Sequence, residues 1–297
     1  MLRIVMDGAG DMPAGWGQQY GIHILPLNVQ FGEQTFTQGK GFTLEDFYRM
    51  VREKRMIPKT SLPSIGQIKD FYRSIAQQGD TILSIHISSK LSGTYNTVKA
   101  AASELAGEFN IIVFDSLAGS AAQAFMAREA RIMAQAGAGM DEIVRRLEII
   151  RQRITIIFTL DSLEFAVLSG RISALKSVVA TALQLKPIIL LRDGLLDVAD
   201  RVRTRTRALD HILAMAHQRL DGCQIHLAIV HAADSQTAQK ILERVRGLFP
   251  VQECFVTDLS IPVAANLGPG AIGIVAYPID EAAGVVENPF NSIEKEP

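Results

Sequence analysis

Cysteine is scarce: the chain has two in 297 residues, Cys223 and Cys254, far apart. That excludes a disulfide framework and the close spacing of a structural zinc site, and it fits a reducing, cytoplasmic setting. An excess of charge is lacking too. The 30 Lys and Arg against 31 Asp and Glu leave −1, spread along the chain, so no basic field is offered to a nucleic-acid backbone. Long apolar runs are missing. The greasiest stretch, SVVATALQLKPIILL, is interrupted by Gln184, Lys186 and Pro187 and falls short of the roughly 18–20 residues that span a bilayer. MLRIVMDGAGDM has neither the basic start nor the apolar length of a signal peptide. A soluble protein with no integral membrane segment is expected. GxxxxGK[ST] is absent, and GAGD at 8–11 lacks the third glycine of a dinucleotide fingerprint. The six histidines show no metal spacing. No cofactor and no metal are expected.

What is present is core material: 48% of residues are hydrophobic, and this length is usually divided into two domains. LRIVMDG reads as a buried strand. HILPLNVQF and EQTFTQG read as paired strands around Gly32, and a helix starts at Thr43. From residue 60 strands and helices alternate. Ser64 caps a helix with Ile65, Ile68, Phe71, Tyr72 and Ile75 on one face; TILSIHI is a strand; helices follow at 94–106, 118–136 and 141–153, with IIVFDS between the first two. ITIIFTL is read as closing this half. The pattern predicts an N-terminal α/β domain with a mostly parallel sheet over 1–154.

The second half, 155–280, reads as an α+β domain with a mixed sheet, and 281–297 as a tail. LEFAVLSG and ISALKSVVATALQ look helical. PIILLRDGLLDVADRVRTR looks like a hairpin turning at Asp193–Gly194. In a strand, RVRTRTR would put Arg201, Arg203 and Arg205 on one face, either as a solvated basic edge or as an anion contact. A helix carrying Leu209, Ile212, Leu213, Ala216 and Leu220, the strand HLAIVHA, a helix at 235–247 and strands at 251–257 and 271–276 complete it.

Chemistry concentrates where strands turn into helices. SSKLSGTYNTV, 88–98, places Ser88, Ser89, Ser92 and Thr94 around Gly93 ahead of a helix, where unpaired N–H groups and the dipole favour an anion. Plain capping is the competing reading. KTSLPS, 59–64, puts Thr60, Ser61 and Ser64 before another helix. If the two bends face each other they form one donor-rich cleft. Asp7 and Asp115, at strand ends, leave open an enzyme, a hydrolase or phosphotransferase that would use them with the hydroxyls.

Taken in order, TSLPS at 60–64, the serine–glycine–threonine loop, LSGRIS at 168–173, KPIILLRDG with RVRTRTRAL, and GPGAIGI at 268–274 resemble the DegV family of bacterial fatty-acid-binding proteins. The resemblance spans about residues 2–278. It implies two α/β domains with an acyl tail in a buried tunnel and the carboxylate at the domain junction. It also implies a carrier rather than an enzyme, serving lipid transport or fatty acid metabolism. Thr60 and Ser92 then bind the carboxylate, with Ser61, Gly93 and Thr94 beside them. Arg171 lies near the head group or a partner-facing surface, and Arg203 matches the arginine of the second-domain motif. Some members present the acid to a fatty-acid kinase subunit. Two departures bear on that role: Asn266 stands where members usually carry histidine before Gly-Pro-Gly, and Gly8 and Ala9 replace the hydroxyls of Asp-Ser-Thr. Candidates for the tail tunnel are Phe165, Ala166, Leu168, Val178, Val179, Leu183 and the PIILL strand, all of which serve equally well as ordinary core.

Overall fold

The computed structural model describes residues 1–54, 56–172, 185–220 and 222–279. The expected helix over 172–184, with Val178, Val179 and Leu183, and the expected tail, 281–297, fall outside the described residues, apart from Ile172 at the start of that helix.

A first sheet has the order β2-β1-β6-β7, from Ile22–Leu25, Leu2–Asp7, Thr81–His86 and Asn110–Asp115, and every neighbouring pair is parallel. The helix α3 (Ile65–Ile75) leads into β6, α4 (Thr94–Glu104) joins β6 to β7, and α5 (Ala121–Gln135) and α6 (Met140–Arg153) come after β7. This is the expected α/β domain. A second sheet, mixed and six-stranded, runs β10-β9-β8-β13-β11-β12, from Leu195–Val202, Lys186–Arg192, Thr155–Thr159, Ile272–Pro278, Ile225–His231 and Val251–Asp258. Its helices are α7 (Glu164–Ser169), α8 (Arg205–Leu220), α9 (Ser235–Arg246) and α10 (Ile261–Leu267). Two further helices belong to the first half, the short α1 (Trp16–Gln19) and α2 (Leu44–Lys54).

Local chemistry explains most boundaries. Ser64 accepts from the Gln67 N–H while the Gln67 side chain accepts from the Ser64 N–H, a capping box that starts α3. Thr43 and Asp46 do the same for α2. Asp193 (φ 48°) and Gly194 (φ 80°) make the tight turn between β9 and β10, the twist-matched hairpin geometry expected of Asp-Gly.

Four expectations change. ITIIFTL does not close the first half: β8 is buried along its whole length, between β9 and β13 of the second sheet. A continuous apolar run fits any doubly covered strand, so composition alone cannot choose its sheet. HILPLNVQF is not one strand. It breaks at Pro26 into β2, in the parallel sheet, and β3 (Asn28–Phe31), since proline has no N–H for a continued ladder. KTSLPS is not only a turn: β5 (Lys59–Ser61) pairs with β3, which pairs with β4 (Gln34–Thr37), forming a small antiparallel sheet. RVRTRTR is not one strand either. β10 ends at Val202, and Thr204 starts α8 by accepting from the Arg207 N–H, so Arg201, Arg203 and Arg205 share no strand face.

The two sheets are not separate bodies. One apolar cluster runs through both, from Ile4 and Met6 through Phe125 to Val230, Val275 and Tyr277. Arg128, 2% exposed, crosses the same layer, paired with Glu253 and lying over Trp16. Burial on that scale is the dominant favourable contribution to folding.

Candidate functional site

The loop between β6 and α4 divides its hydroxyls between two tasks. Its first part is an anchor. The Ser88 N–H donates to Ala118 O (2.8 Å), its Oγ donates to Gly194 O (2.7 Å), and Lys90 Nζ donates to Asp193 O (2.6 Å). The tip of the β9–β10 hairpin is thereby pinned to the first domain. A Cβ on Gly194 would stand 2.6 Å from Ser88 Oγ, so glycine there serves both the turn and the close approach. The second part faces a cavity. Leu91, Ser92 and Gly93 line it, and the N-cap of α4 is Gly93, which has no side chain to offer. Ser92 Oγ and Thr94 Oγ1 share a hydrogen bond of 2.8 Å, which holds the half-buried Ser92 in place from the fully buried Thr94.

The cavity has a volume of about 290 Å³, at the lower end of small-molecule pockets. Thr60, Ser61 and Leu62 reach it from β5 and the following bend. Ala9, Ile87, Gly119 and Ser120 come from loops at the carboxyl ends of β1, β6 and β7, where open α/β sheets hold ligands. The second domain adds Ile156 and Phe158 of β8, Leu196 of β10, Pro262, Val263, Asn266 and Leu267 of α10, and Arg171 after α7. Ser and Thr hydroxyls therefore share one space with a mostly aliphatic wall, at the junction of the domains.

Of the residues singled out above, Thr60, Ser61, Ser92, Gly93, Arg171 and Asn266 line this one cavity. Thr94 stands just behind it. Arg171 is exposed, with Nη1 donating to Ser169 O at 2.5 Å. Asn266 Nδ2 donates to Pro262 O at 2.6 Å along its own helix, which turns the amide oxygen and one N–H to other partners. Arg203 is not brought in: it is exposed in the bend between β10 and α8 and does not line the cavity. Its neighbour Arg205 pairs with Asp234 and donates to Gly270 O (2.8 Å), holding the Gly-Pro-Gly turn. In that turn Gly268 (φ 80°) leaves room for Phe165, which a Cβ would approach to 2.7 Å.

The tail candidates change roles. Phe165 and Ala166 pack as core, Leu168 is 68% exposed, and Ile188, Ile189 and Leu190 are buried in the clusters beside the second sheet. None of them lines the cavity. Its apolar wall comes from Leu27, Leu62, Ile87, Leu91, Ile156, Phe158, Leu196, Val263 and Leu267. The departure at position 8 also finds a reason: a Cβ on Gly8 would overlap the Gln38 carboxamide, whose Nε2 donates to Gly8 O at 3.2 Å.

Asp7 and Asp115 do not support the enzyme alternative, because neither lines the cavity. Asp115 accepts from the Ser89 and Leu117 N–H groups and shapes its loop. Asp7 accepts from the Ala9 and Ile87 N–H groups and meets His86 Nδ1 at 3.1 Å; His86 Nε2 meets Ser84 Oγ at 2.8 Å, which meets Tyr72 OH at 2.8 Å. The Ser-His-Asp spacing is that of a hydrolytic triad. All four side chains have zero exposure, and burial raises the Tyr72 hydroxyl's pKa, keeping it protonated. A substrate has no approach, and the network orders the core under Ala9 and Ile87.

Two carboxylates show opposite environments. Asp80 is held down at about 2, first by its hydrogen bond to the N-terminal ammonium, then by the Gln77 N–H and by Arg3. Asp11, in the loop after β1, is pushed up to about 6 by burial, despite hydrogen bonds from Ser120 and Ser260.

Two α/β domains enclosing one apolar cavity with a hydroxyl-lined side define a class of small-molecule-binding protein. Residues 1–279 match the model of a family described as uncharacterised proteins of the DegV family, and the chain belongs to the DegV family. It is similar to Protein DegV of Bacillus subtilis, 29% identical over 275 residues, covering 92% of this chain and 98% of that one. Among solved structures it resembles a DegV family protein from Thermus thermophilus described for fatty acid binding, with a TM-score of 0.85, 28% identity, and 94% and 99% of the two chains covered. A stearic acid-binding protein from Eubacterium ventriosum matches with a TM-score of 0.85, 26% identity, and 94% and 98% covered. Among the described residues no helix is long and apolar enough to cross a membrane.

Proposed function

We propose that this protein binds a long-chain fatty acid such as palmitate, its carboxylate toward Thr60 and Ser92 and its chain along the aliphatic wall. The observation that carries this reading is that Thr60 and Ser92, from two separate bends, line one cavity with side chains from both domains. A C16 acid offers about fourteen methylenes at roughly 0.8 kcal/mol each, about 11 kcal/mol gross. Ordering and association costs reduce that sum and leave binding near micromolar or tighter. The carboxylate needs donors to leave water, and two hydroxyls, N–H groups at the N-terminus of α4 and Arg171 supply them.

The role is carriage rather than catalysis, in the cytoplasm, with the domains divided near residue 155. The test is organic extraction and mass spectrometry of the purified protein. About one C14–C18 acid per chain is expected; an empty protein that turns over acyl or phosphoryl esters would overturn the reading. The kinase-partner role is weakened here by Asn266, which can neither take a proton nor carry charge near neutral pH. With a fatty-acid kinase subunit and ATP, little acyl phosphate is expected from the native chain and more from Asn266→His. Robust phosphorylation of the native chain's acid would show that the imidazole is dispensable.

A further inference from the structure

Asp11 is buried, 2% exposed, and plays no part in the head-group contacts above. Its two oxygens join three segments. Oδ2 accepts from Ser120 Oγ at 2.5 Å, where the chain turns into α5, and Oδ1 accepts from the Ser260 N–H at 2.7 Å, at the N-cap of α10. Both partners belong to cavity walls. Ser120 lines the cavity itself, held at φ 57° with its N–H on Ala9 O (2.9 Å), and α10 contributes Pro262, Val263, Asn266 and Leu267. Thr257 Oγ1 donates to Met12 O at 3.1 Å and ties the same loop to β12. The carboxylate thus spans the seam between the walls given by the two domains.

We propose that Asp11 is a positioning residue for ligand retention: its carboxylate clamps α10 to the Ser120 turn, and weakening that clamp lets the cavity wall open and the acid leave. The proposal rests on the fatty-acid reading above. A merely structural link would be met more cheaply by a neutral side chain, because a buried carboxylate is costly to keep charged. A carboxylate, however, accepts at both oxygens, and protonation turns one of them into a donor. The titratable groups facing Asp11 are Asp258 of β12 and Tyr48 of α2; Asp258 in turn meets His231 Nδ1 of β11 at 3.1 Å. Burial and the Asp258 charge both oppose ionisation, so Asp11 titrates near 6 and the clamp changes state in mildly acidic solution.

Stability and retention then move in the same direction. For an acid whose folded pKa lies above its unfolded value, the stability contribution is fully present below about 3.8 and is lost as pH rises through about 6. Opening the seam would hydrate Asp11 and lower its pKa, so by the same linkage acidification favours the closed seam as well as the fold, and ionisation above about 6 favours opening. The experiment follows release of a fluorescent palmitate analogue from the full-length protein into acceptor vesicles between pH 5 and 8. Release from the native chain is expected to be about fivefold slower at pH 5 than at pH 8, the worth of roughly one hydrogen bond. Asp11→Asn is expected to flatten the pH profile, and Ser120→Ala, which removes one bond only, to release faster at pH 8. If Asp11→Asn keeps the native pH profile, the proposal is overturned. Should that variant not fold, a Ser120→Ala chain with native release overturns it equally. A native chain that never holds the analogue removes the fatty-acid reading and this proposal together, and is recognised by its empty baseline.

Discussion

The two hydroxyl-bearing bends, TSLPS before α3 and SSKLSGT before α4, look alike as text and differ in what their hydroxyls do. Before α3, Ser64 is consumed by a capping box with Gln67, and the helix N-terminus is closed by its own chain. Before α4 the N-cap residue is Gly93, which has no side chain to offer, and only Ser92 Oγ accepts from the helix, from the Thr94 N–H at 3.3 Å. Ser88 is spent on the hairpin tip 106 residues away, while Ser92 is left at the cavity. The lesson is that a serine near a helix start says little until its partner is known. A hydroxyl locked in a reciprocal cap away from the cavity is structure; Ser92, though bonded to Thr94 of its own helix, faces the cavity and keeps hydrogen-bonding capacity for a ligand. Thr60 falls in the second group although it sits in the first bend, because β5 carries it to the cavity before the cap begins.

The strongest way to break this comparison is to remove the two available hydroxyls together. Thr60→Ala with Ser92→Ala deletes two hydrogen bonds to a charged group, each worth about 1.5–3 kcal/mol. Palmitate affinity measured by titration calorimetry is expected to fall at least about tenfold in a chain that still folds. Unchanged affinity in the folded double variant would remove the head-group site. The converse variant is Ser64→Ala. Loss of an N-cap costs about 1 kcal/mol, a melting shift of a few degrees at this size, while affinity is expected to stay within about twofold. A large loss of affinity there would erase the distinction between the bends.

How far the sequence reading reached follows the same division between local and distant. Elements defined by local periodicity were legible: β6 and β7, the capped helix α3, and the Asp-Gly hairpin. RVRTRTR was not, because alternation mimics a strand and the Thr204 cap that starts α8 is a single residue within it. β8 was legible as a strand but not as a member of the second sheet, whose partners β9 and β13 come later in the chain. At the site, the serine–glycine–threonine loop carried a local signal. The walls did not. Leu196 reaches the cavity because Ser88 pins the hairpin, and α10 is placed by Asp11, a contact across 249 residues. Ser120 had a findable signal, since DSLAGS after β7 repeats the serine-rich step from strand to helix seen after β6.

The finest test lies where the two bends touch. A Cβ on Gly93 would sit 3.0 Å from Leu62 Cδ1, the far end of a side chain in the other bend. Gly93 has φ −71°, so alanine meets no backbone strain there. Its gain from restricting the unfolded chain, about 0.4–1 kcal/mol, opposes the loss of a favoured N-cap residue. Leu62, 39% exposed, can swing outward to make room. Gly93→Ala is therefore expected to change stability by less than about 0.5 kcal/mol and palmitate affinity by no more than about threefold. A tenfold loss from this one methyl would mean that the spacing of the bends, rather than the hydroxyls they carry, decides how the head group is held. The double variant and this one then separate the two causes, since one removes donors without adding bulk and the other adds bulk without removing a donor.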